Sequence, residues 1–386
     1  MTAVLAIASV SLAIWLYLVA GRGWFWLGYE HESRDALPTA PDEWPSVVAV
    51  VPARNEADML PRSLGSLLAQ DYPGAFSIIV VDDQSDDGTS DVARRTGSGS
   101  AREVIVLKGE PLPPGWAGKV WAMQQGIAHA GRLPAPPEFI LLTDADIAYA
   151  PDTLSRIVQR ARVGRLVLVS QMAKLNCESF AERALVPAFV FFFQMLYPFR
   201  WVNSLTSATA AAAGGSMLVN RAALERVGGI GAIRGALIDD CALGKVMKAQ
   251  GPIWLGLSER VVSLRSYPQI SDIRRMVARS AYAQLGYSPL ILAGTIAGML
   301  LTYLAPPLVA MAGLFPANAV AGAAWASMAL AFQPTLRLYR LSPLWGTALP
   351  MIAAAYLAFT VDSAYQHVRG RGGLWKGRVQ ALPARR

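Results

Sequence analysis

The stretch VVDDQSDDGT (80–89) sets four carboxylates, Asp82, Asp83, Asp86 and Asp87, within six positions, at the end of a β-branched run. Like charges this close repel and raise one another's pKa, so a cation, hydrogen-bond donors or solvent must compensate them. A second acidic set, TDAD (143–146), places Asp144 and Asp146 one residue apart after another apolar run. On an extended segment such a pair points to one side, and the two are expected to share a ligand. A hard divalent ion, Mg²⁺ or Mn²⁺, held by one or two carboxylates and completed by phosphate oxygens, suits that chemistry. A solvated turn with an Asp capping the next helix accounts for one of these acids but not for the whole set. D-x-D alone is a weak signal; joined to D-D-x-S-x-D-G it is much stronger.

Two familiar motifs fail on their spacing. Asp83-x-Ser85-x-Asp87-Gly88 begins like an EF-hand calcium loop, but the position that needs a bidentate Glu is Arg94, and a strand precedes it. Gly118-Lys119 ends like a P-loop, yet Pro113 stands where its first glycine belongs and Val120 replaces the required Ser or Thr. The two cysteines, Cys177 and Cys241, and the three histidines, His31, His129 and His367, are scattered without metal-ligand spacing. Structural or surface roles are expected for them, in a reduced, cytoplasm-facing body.

The elements that must position the acids are short β-branched runs alternating with helical stretches, the pattern of α/β units around a mostly parallel sheet. VVAVVPARNE (47–56) predicts a strand ending at Pro52, and ADMLPRSLGSLLAQ a helix with Leu60, Leu64, Leu67 and Leu68 on one face. FSIIVVDDQSDDGT repeats the strand-to-loop form, EVIVLKG predicts a third strand and FILLTDAD a fourth. In open α/β sheets ligands bind outside the carboxyl ends of the strands. Arg54, Asn55, Glu56, Asp82, Asp83, Asp144 and Asp146 are therefore expected to converge on one cleft.

Composition adds a membrane. Of 386 residues, 53% are hydrophobic and 16% charged, against about 25% charged in an ordinary soluble domain. Residues 3–20 are uncharged and long enough to span a bilayer core, which takes about 20 residues. The first basic residue, Arg22, follows this run rather than preceding it, which favours a retained anchor over a cleaved signal peptide. After Tyr287 come three further apolar segments, the first interrupted by Pro306 and Pro307. Arg22 and Arg34 at one end and Arg369, Arg371, Lys376 and Arg378 at the other all ask for the cytoplasm. That requires a hairpin or two crossings in the first segment, or a re-entrant one.

ISDIRRMVARSAYAQL (270–285) sets Ile273, Met276, Val277 and Leu285 against Arg274, Arg275 and Arg279, as in a helix lying in a headgroup layer; an ordinary surface helix has the same period. LVPAFVFFFQMLY (185–197) is apolar but short, a core or interfacial segment able to face a lipid. The formal net charge of +8 fits lipid headgroups and phosphate ligands, because no array of a nucleic-acid-binding module is present.

VPARNE, VVDDQSDDGT, the lysine of GWAGKVWAMQQG, TDAD, AGGSMLVNRAALERVGG and LIDDCALGKVMKAQG stand in the order and spacing of glycosyltransferase family 2, which the chain resembles over about residues 45–285. The resemblance implies a GT-A-type α/β fold, a mostly parallel sheet with flanking helices, here joined to N-terminal and C-terminal transmembrane helices. The expected organisation is an anchor at 1–28, a cytoplasmic catalytic domain at 45–268 and an amphipathic interfacial helix at 269–287. A transmembrane region at 288–366 and a basic cytoplasmic tail at 367–386 follow, in a bacterial inner membrane.

Carried over by position, the resemblance puts Pro52, Arg54 and Glu56 in a nucleotide pocket, with Asp82 beside Asp83, which reads a base, uracil in a UDP-sugar. It puts Lys119 near ribose or diphosphate, Asp146 on a divalent cation with Asp144 beside it, and Asp240 in the place of the catalytic base after Asp239. Arg275 and Arg279 are candidates for the diphosphate or the membrane interface. The Gln-x-x-Arg-Trp element of processive relatives is missing, since Met276 and Ser280 flank Arg279, so transfer of a single sugar is expected. Within the family the whole chain is similar to hopene-associated glycosyltransferases. This implies a hopanoid lipid acceptor and partners among hopanoid-pathway enzymes; polyprenyl phosphate, ceramide-like lipid and carotenoid acceptors, and a non-catalytic sensor, stay open.

Overall fold

VVAVVPA forms β1 (Val47–Ala53), seven buried residues in a row, as expected of a strand covered on both faces. The computed structural model describes residues 2–34, 43–370, 373–375 and 378–379. They divide into an α/β unit, Glu30–Asn176 with Trp201–Ser266 and a short C-terminal ladder, and an apolar helical unit, Met1–Tyr29 with Cys177–Arg200 and Tyr267–Gly373.

In the α/β unit β1 lies between β2 (Phe76–Asp82) and β4 (Phe139–Thr143), parallel to both, and β3 (Val104–Lys108) pairs parallel with β2. The sheet continues through β5 (Ile147–Tyr149), β6 (Leu168–Lys174), β7 (Ser216–Asn220) and β8 (Ile253–Ser263) in the order β3-β2-β1-β4-β7-β6-β8-β5. β7 runs antiparallel to β4 and β6, and β5 antiparallel to β8, while β6 and β8 are parallel. Only the first four strands were assigned from sequence.

The register explains the site. Ala53 pairs with Asp82, so Arg54 and Asp83 leave the sheet side by side. Pro52 is buried in a central strand, where its missing N–H would normally break a ladder. The β1–β4 pairing ends at Val50 and Leu142, so no partner is lost on that side. Helix Leu60–Leu68 covers the sheet with Leu60, Leu64 and Leu67 buried and Leu68 half-buried. Helix Gly118–Ala130 approaches more closely: a Cβ on Gly126 would stand 2.4 Å from Val50 Cγ1. Only glycine permits that approach, and it sets Lys119 at the head of this helix.

Two expected boundaries move. The α/β unit begins at Glu30 rather than 45, because Leu257 N donates to Glu30 O and Glu32 N to Leu257 O. Residues 177–200, expected within the catalytic domain, belong to the apolar unit. Their helix, Phe180–Leu196, buries Leu185, Val186, Val190 and Phe191, and Phe191 packs on Phe25 and Phe332. Most of its apolar surface is protein core rather than a face offered to lipid.

In the apolar unit Thr2–Ala20 and Pro289–Met311 are long and apolar enough to cross a membrane. Pro306 and Pro307 do not turn the second into a hairpin. The chain passes through a π-helical turn at Leu300–Leu304 into helix Ala305–Met311. Proline has no N–H for the preceding carbonyls, and Leu301 O and Thr302 O instead accept from Ser11 Oγ at 2.7 Å and Trp15 Nε1 at 2.8 Å. Helices Ala317–Ala331 and Leu349–Val368 follow.

The expected helix over 270–285 is two, Ile270–Ala278 and Ala281–Gln284. Its apolar face is spent on protein: Ile273 and Val277 are buried, and both helices pack on Leu349–Val368. Arg274, Arg275 and Arg279 are exposed. Arg371 and Lys376 lie outside the described residues, as does the side chain of Arg378.

Candidate active site

The sequence-predicted acids fall into three groups distinguished by what satisfies them. In the first, loop 82–89, Asp82 accepts from Ser85 N at 3.0 Å and from Ser90 Oγ. Asp87 accepts from Thr89 N and Ala57 N, each at 3.0 Å. Against the cost of partial burial, these donors hold the Asp87 carboxyl below its ordinary range. Asp86 N donates to Asn55 Oδ1 at 3.1 Å. The Asp86 backbone and the Asp87 carboxylate thus shape the turn. Asp83, expected to read a base, is fully buried. Arg54 Nη1 reaches the carbonyls of Asp83 and Gln84 at 2.5 and 3.1 Å, folding the loop onto the end of β1.

The second group centres on Lys119. Its Nζ lies 2.7 Å from Asp144 Oδ1 and 3.3 Å from Asp239 Oδ2. Asp239 opens helix Asp239–Lys248, whose N-cap position is Ile238 with no side-chain cap; the first acid therefore pairs with lysine instead of capping. Asp240 accepts from Gly214 N at 3.0 Å and Cys241 N at 2.7 Å. A Cβ on Gly214 would sit 3.3 Å from both Asp240 Oδ2 and Lys119 Nζ, so these groups share one small space that glycine leaves open.

Burial pulls Lys119 down, but Asp144 and Asp239 outweigh it and keep the ammonium charged. Burial and the neighbouring Asp239 push the Asp240 carboxyl up to about 6. Burial also pushes Asp144 upward, with Lys119 opposing it.

The third group was missed from sequence. Arg265, two residues beyond β8, places Nε 2.7 Å from Asp146 Oδ2 and Nη2 at 2.7 and 2.8 Å from the two Glu56 oxygens. Burial opposes the guanidinium's charge, yet Asp146 and Glu56 raise its pKa further. Nothing in LRSY (264–267) distinguishes this arginine among 35 lysines and arginines. Gly214 stood within a quoted motif, but its closeness to Asp240 needed the fold.

Asp144 and Asp146 do not leave an extended strand on one side, as TDAD had predicted: Asp144 pairs with Lys119 and Asp146 with Arg265. Residues 144–146 form the turn between β4 and β5, so strand alternation does not apply, and each acid meets a different cation. Pro52 is a buried framework residue. Arg275 and Arg279 belong to the apolar unit, where Arg275 Nη2 pairs with Asp272 at 2.5 Å.

A divalent cation is what the sequence resemblance implies. Among the described residues no three His, Cys, Asp or Glu side chains form a ready-made cage. A Mg²⁺-type site needs only one or two carboxylates with phosphates completing it. Asp146 and Glu56 supply hard oxygens and already hold a cation between them, the Arg265 guanidinium. The donor chemistry and its demand for positive charge fit a divalent ion.

A family model, "Glycosyl transferase family 2", matches residues 48–228. Over 104 residues the chain is 33% identical to 4,4'-diaponeurosporenoate glycosyltransferase of Staphylococcus aureus, covering 27% of this chain and 24% of that one. Over 128 residues it is 29% identical to undecaprenyl-phosphate mannosyltransferase of Micrococcus luteus, covering 32% and 48%. The chain thus spans less than half the length of each of these curated relatives. A mannosyltransferase structure from Pyrobaculum calidifontis, in complex with GDP-Man and Mn²⁺, superposes with a TM-score of 0.57 at 20% identity, covering 94% of this chain and 99% of that one. That likeness carries the fold, a GT-A-like α/β arrangement. Over residues 48–228, then, the chain is similar to glycosyl transferase family 2.

Proposed function

We propose that the protein is a membrane-bound inverting glycosyltransferase that moves one sugar from a nucleotide-diphosphate sugar, a UDP-sugar in this reading, to a lipid hydroxyl. The observation that carries the proposal is Lys119 bridging Asp144 of TDAD and Asp239, with Asp240 fixed beside it on Gly214 N. This puts a permanent cation next to a carboxylate whose pKa lies near neutrality, the pairing that sugar transfer needs.

In the reaction Asp240 takes the proton of the acceptor hydroxyl, and its position near pH 6 suits a general base at physiological pH. The freed oxygen attacks the anomeric carbon opposite the diphosphate. The bond to the leaving oxygen breaks with its electron pair, and the configuration inverts. Lys119 stabilises charge growing on the diphosphate, and Asp144 and Asp239 hold the ammonium in place. A divalent ion on Asp146 would add Lewis-acid stabilisation of that leaving group.

Two helices of spanning length support membrane attachment, in this reading at a bacterial inner membrane with the domain facing the cytoplasm. A hopanoid acceptor rests on the sequence resemblance. The 4,4'-diaponeurosporenoate and undecaprenyl-phosphate named for the two relatives favour a second reading, sugar transfer to another lipid.

The test is nucleotide release by detergent-purified protein from a panel of UDP- and GDP-sugars, with Mn²⁺ or Mg²⁺ and hopanoid, polyprenyl-phosphate or carotenoid lipid. Release that requires one sugar and one lipid class, and is lost in Asp240→Asn, fixes donor, acceptor and base. Undiminished transfer by Asp240→Asn would remove the assigned base.

A further inference from the structure

Arg265 stands on the carboxylate expected to hold the metal. Its Nε bonds Asp146 Oδ2, and its Nη2 forks onto both Glu56 oxygens; Nη1 has no hydrogen-bond partner among the described residues. Two carboxylates from different strand ends therefore share the one Arg265 guanidinium. A nucleoside diphosphate finds this guanidinium engaged, and a divalent ion finds Asp146 already paired.

The three bonds are not equal. Glu56 is buried and receives two of them, while Asp146 gives up only one if the guanidinium tilts about its Glu56 anchor. A divalent ion on Asp146 would add positive charge there, with the released Nε and Nη1 then able to meet phosphate oxygens.

We propose that Arg265 is a cation exchanged for the metal: it neutralises Asp146 in the donor-free protein, and on arrival of the divalent ion it stays anchored on Glu56 and turns to the donor's diphosphate. Metal and nucleotide then bind cooperatively, because each removes the obstacle to the other. The inference rests on the nucleotide-sugar reading of this cleft for its second half only.

The experiment is Mn²⁺ titration of the full-length protein in detergent, followed by the electron paramagnetic resonance signal of free Mn²⁺, with and without UDP or GDP. Without nucleotide, Arg265→Gln is expected to bind Mn²⁺ about tenfold more tightly than wild type, or about 1.4 kcal/mol. Arg265→Lys, which keeps the charge but loses the fork, should fall between them, and Asp146→Asn should abolish binding in every background. Nucleotide should tighten Mn²⁺ binding strongly in wild type and only weakly in Arg265→Gln.

Equal or weaker Mn²⁺ binding by both Arg265 variants, with melting temperatures like wild type, overturns the exchange, as does absence of Mn²⁺ binding in all forms. If Arg265→Gln alone fails to fold, the Arg265→Lys comparison decides. Tighter metal in the variants with no nucleotide bound by any form would sustain the metal half and remove the donor reading. Nucleotide binding with unmoved metal affinity would do the reverse.

Discussion

The acids of loop 82–89 and those of TDAD and Asp239-Asp240 look alike as text and differ in what compensates them. Asp82 and Asp87 are met by hydroxyls and N–H groups, from Ser85, Thr89 and Ser90 in or beside their own loop and from Ala57 after β1. Asp144, Asp146 and Asp239 are met by Lys119 and Arg265, cations brought from distant elements by the fold. Local donors make a carboxylate a piece of framework. Distant cations make its compensation depend on the fold and leave it open to rearrangement, which is what a reacting site requires.

The comparison breaks most sharply at Asp240. Asp240→Asn should lower kcat by about 10²–10⁴-fold while nucleotide-sugar binding, measured calorimetrically, persists. Lys119→Met should cost about 10²–10³-fold in transfer and, unlike Asp240→Asn, also weaken nucleotide binding. If Lys119→Met instead behaves like a loop substitution, altering stability alone, the division between cationic site and framework fails.

The pH dependence sharpens it further. With Asp240 at about 6, kcat/KM should fall tenfold per unit below that pH. Asp239→Asn should shift the inflection downward, because the Asp239 charge is one cause of the elevation. For stability the sign is opposite to a usual carboxylate. The folded Asp240 binds its proton more tightly than the unfolded one, so stability declines as pH rises from about 4 to about 6 and stays lower above. Asp240→Asn should therefore melt higher than wild type at pH 7, by about 1–2 kcal/mol, an inactive protein more stable than the active one.

The smallest effect belongs to the framework. Asp87→Ala should lose about 1 kcal/mol in denaturant unfolding, with little change in transfer rate. Its contribution should disappear as pH falls through the depressed Asp87 pKa, because a lowered carboxyl stabilises only while ionised.

Local pattern made the first half of the sheet legible. β1 to β4 are continuous apolar runs ending in polar chemistry, and the helix of Leu60, Leu64 and Leu67 keeps its period. β5, three residues long, and the mixed-direction pairing of β7 carry no such local mark. Asp144, Asp146 and Lys119 stood out in the sequence as side chains, but their pairing did not, because Lys119 meets both Asp144 and the distant Asp239, and Arg265 meets Asp146, only through the topology. Arg265 shows this most plainly. In the apolar unit, composition predicted long helices, but it did not reveal that Ile273, Val277 and Phe191 are buried by other helices.

Glu32 bears on how the α/β unit can be studied alone. Its carboxylate accepts from Gln171 Nε2 and Ser258 Oγ, each at 2.6 Å, and from Glu259 N and Arg260 N at 2.8 and 2.9 Å. A fragment cut at 45, where the sequence motifs begin, would strand four donors beside β8, at about 1–3 kcal/mol for each one left buried and unsatisfied. An excised fragment meant to stay folded and soluble should instead start at or before Glu30, carrying its own N-terminal clasp.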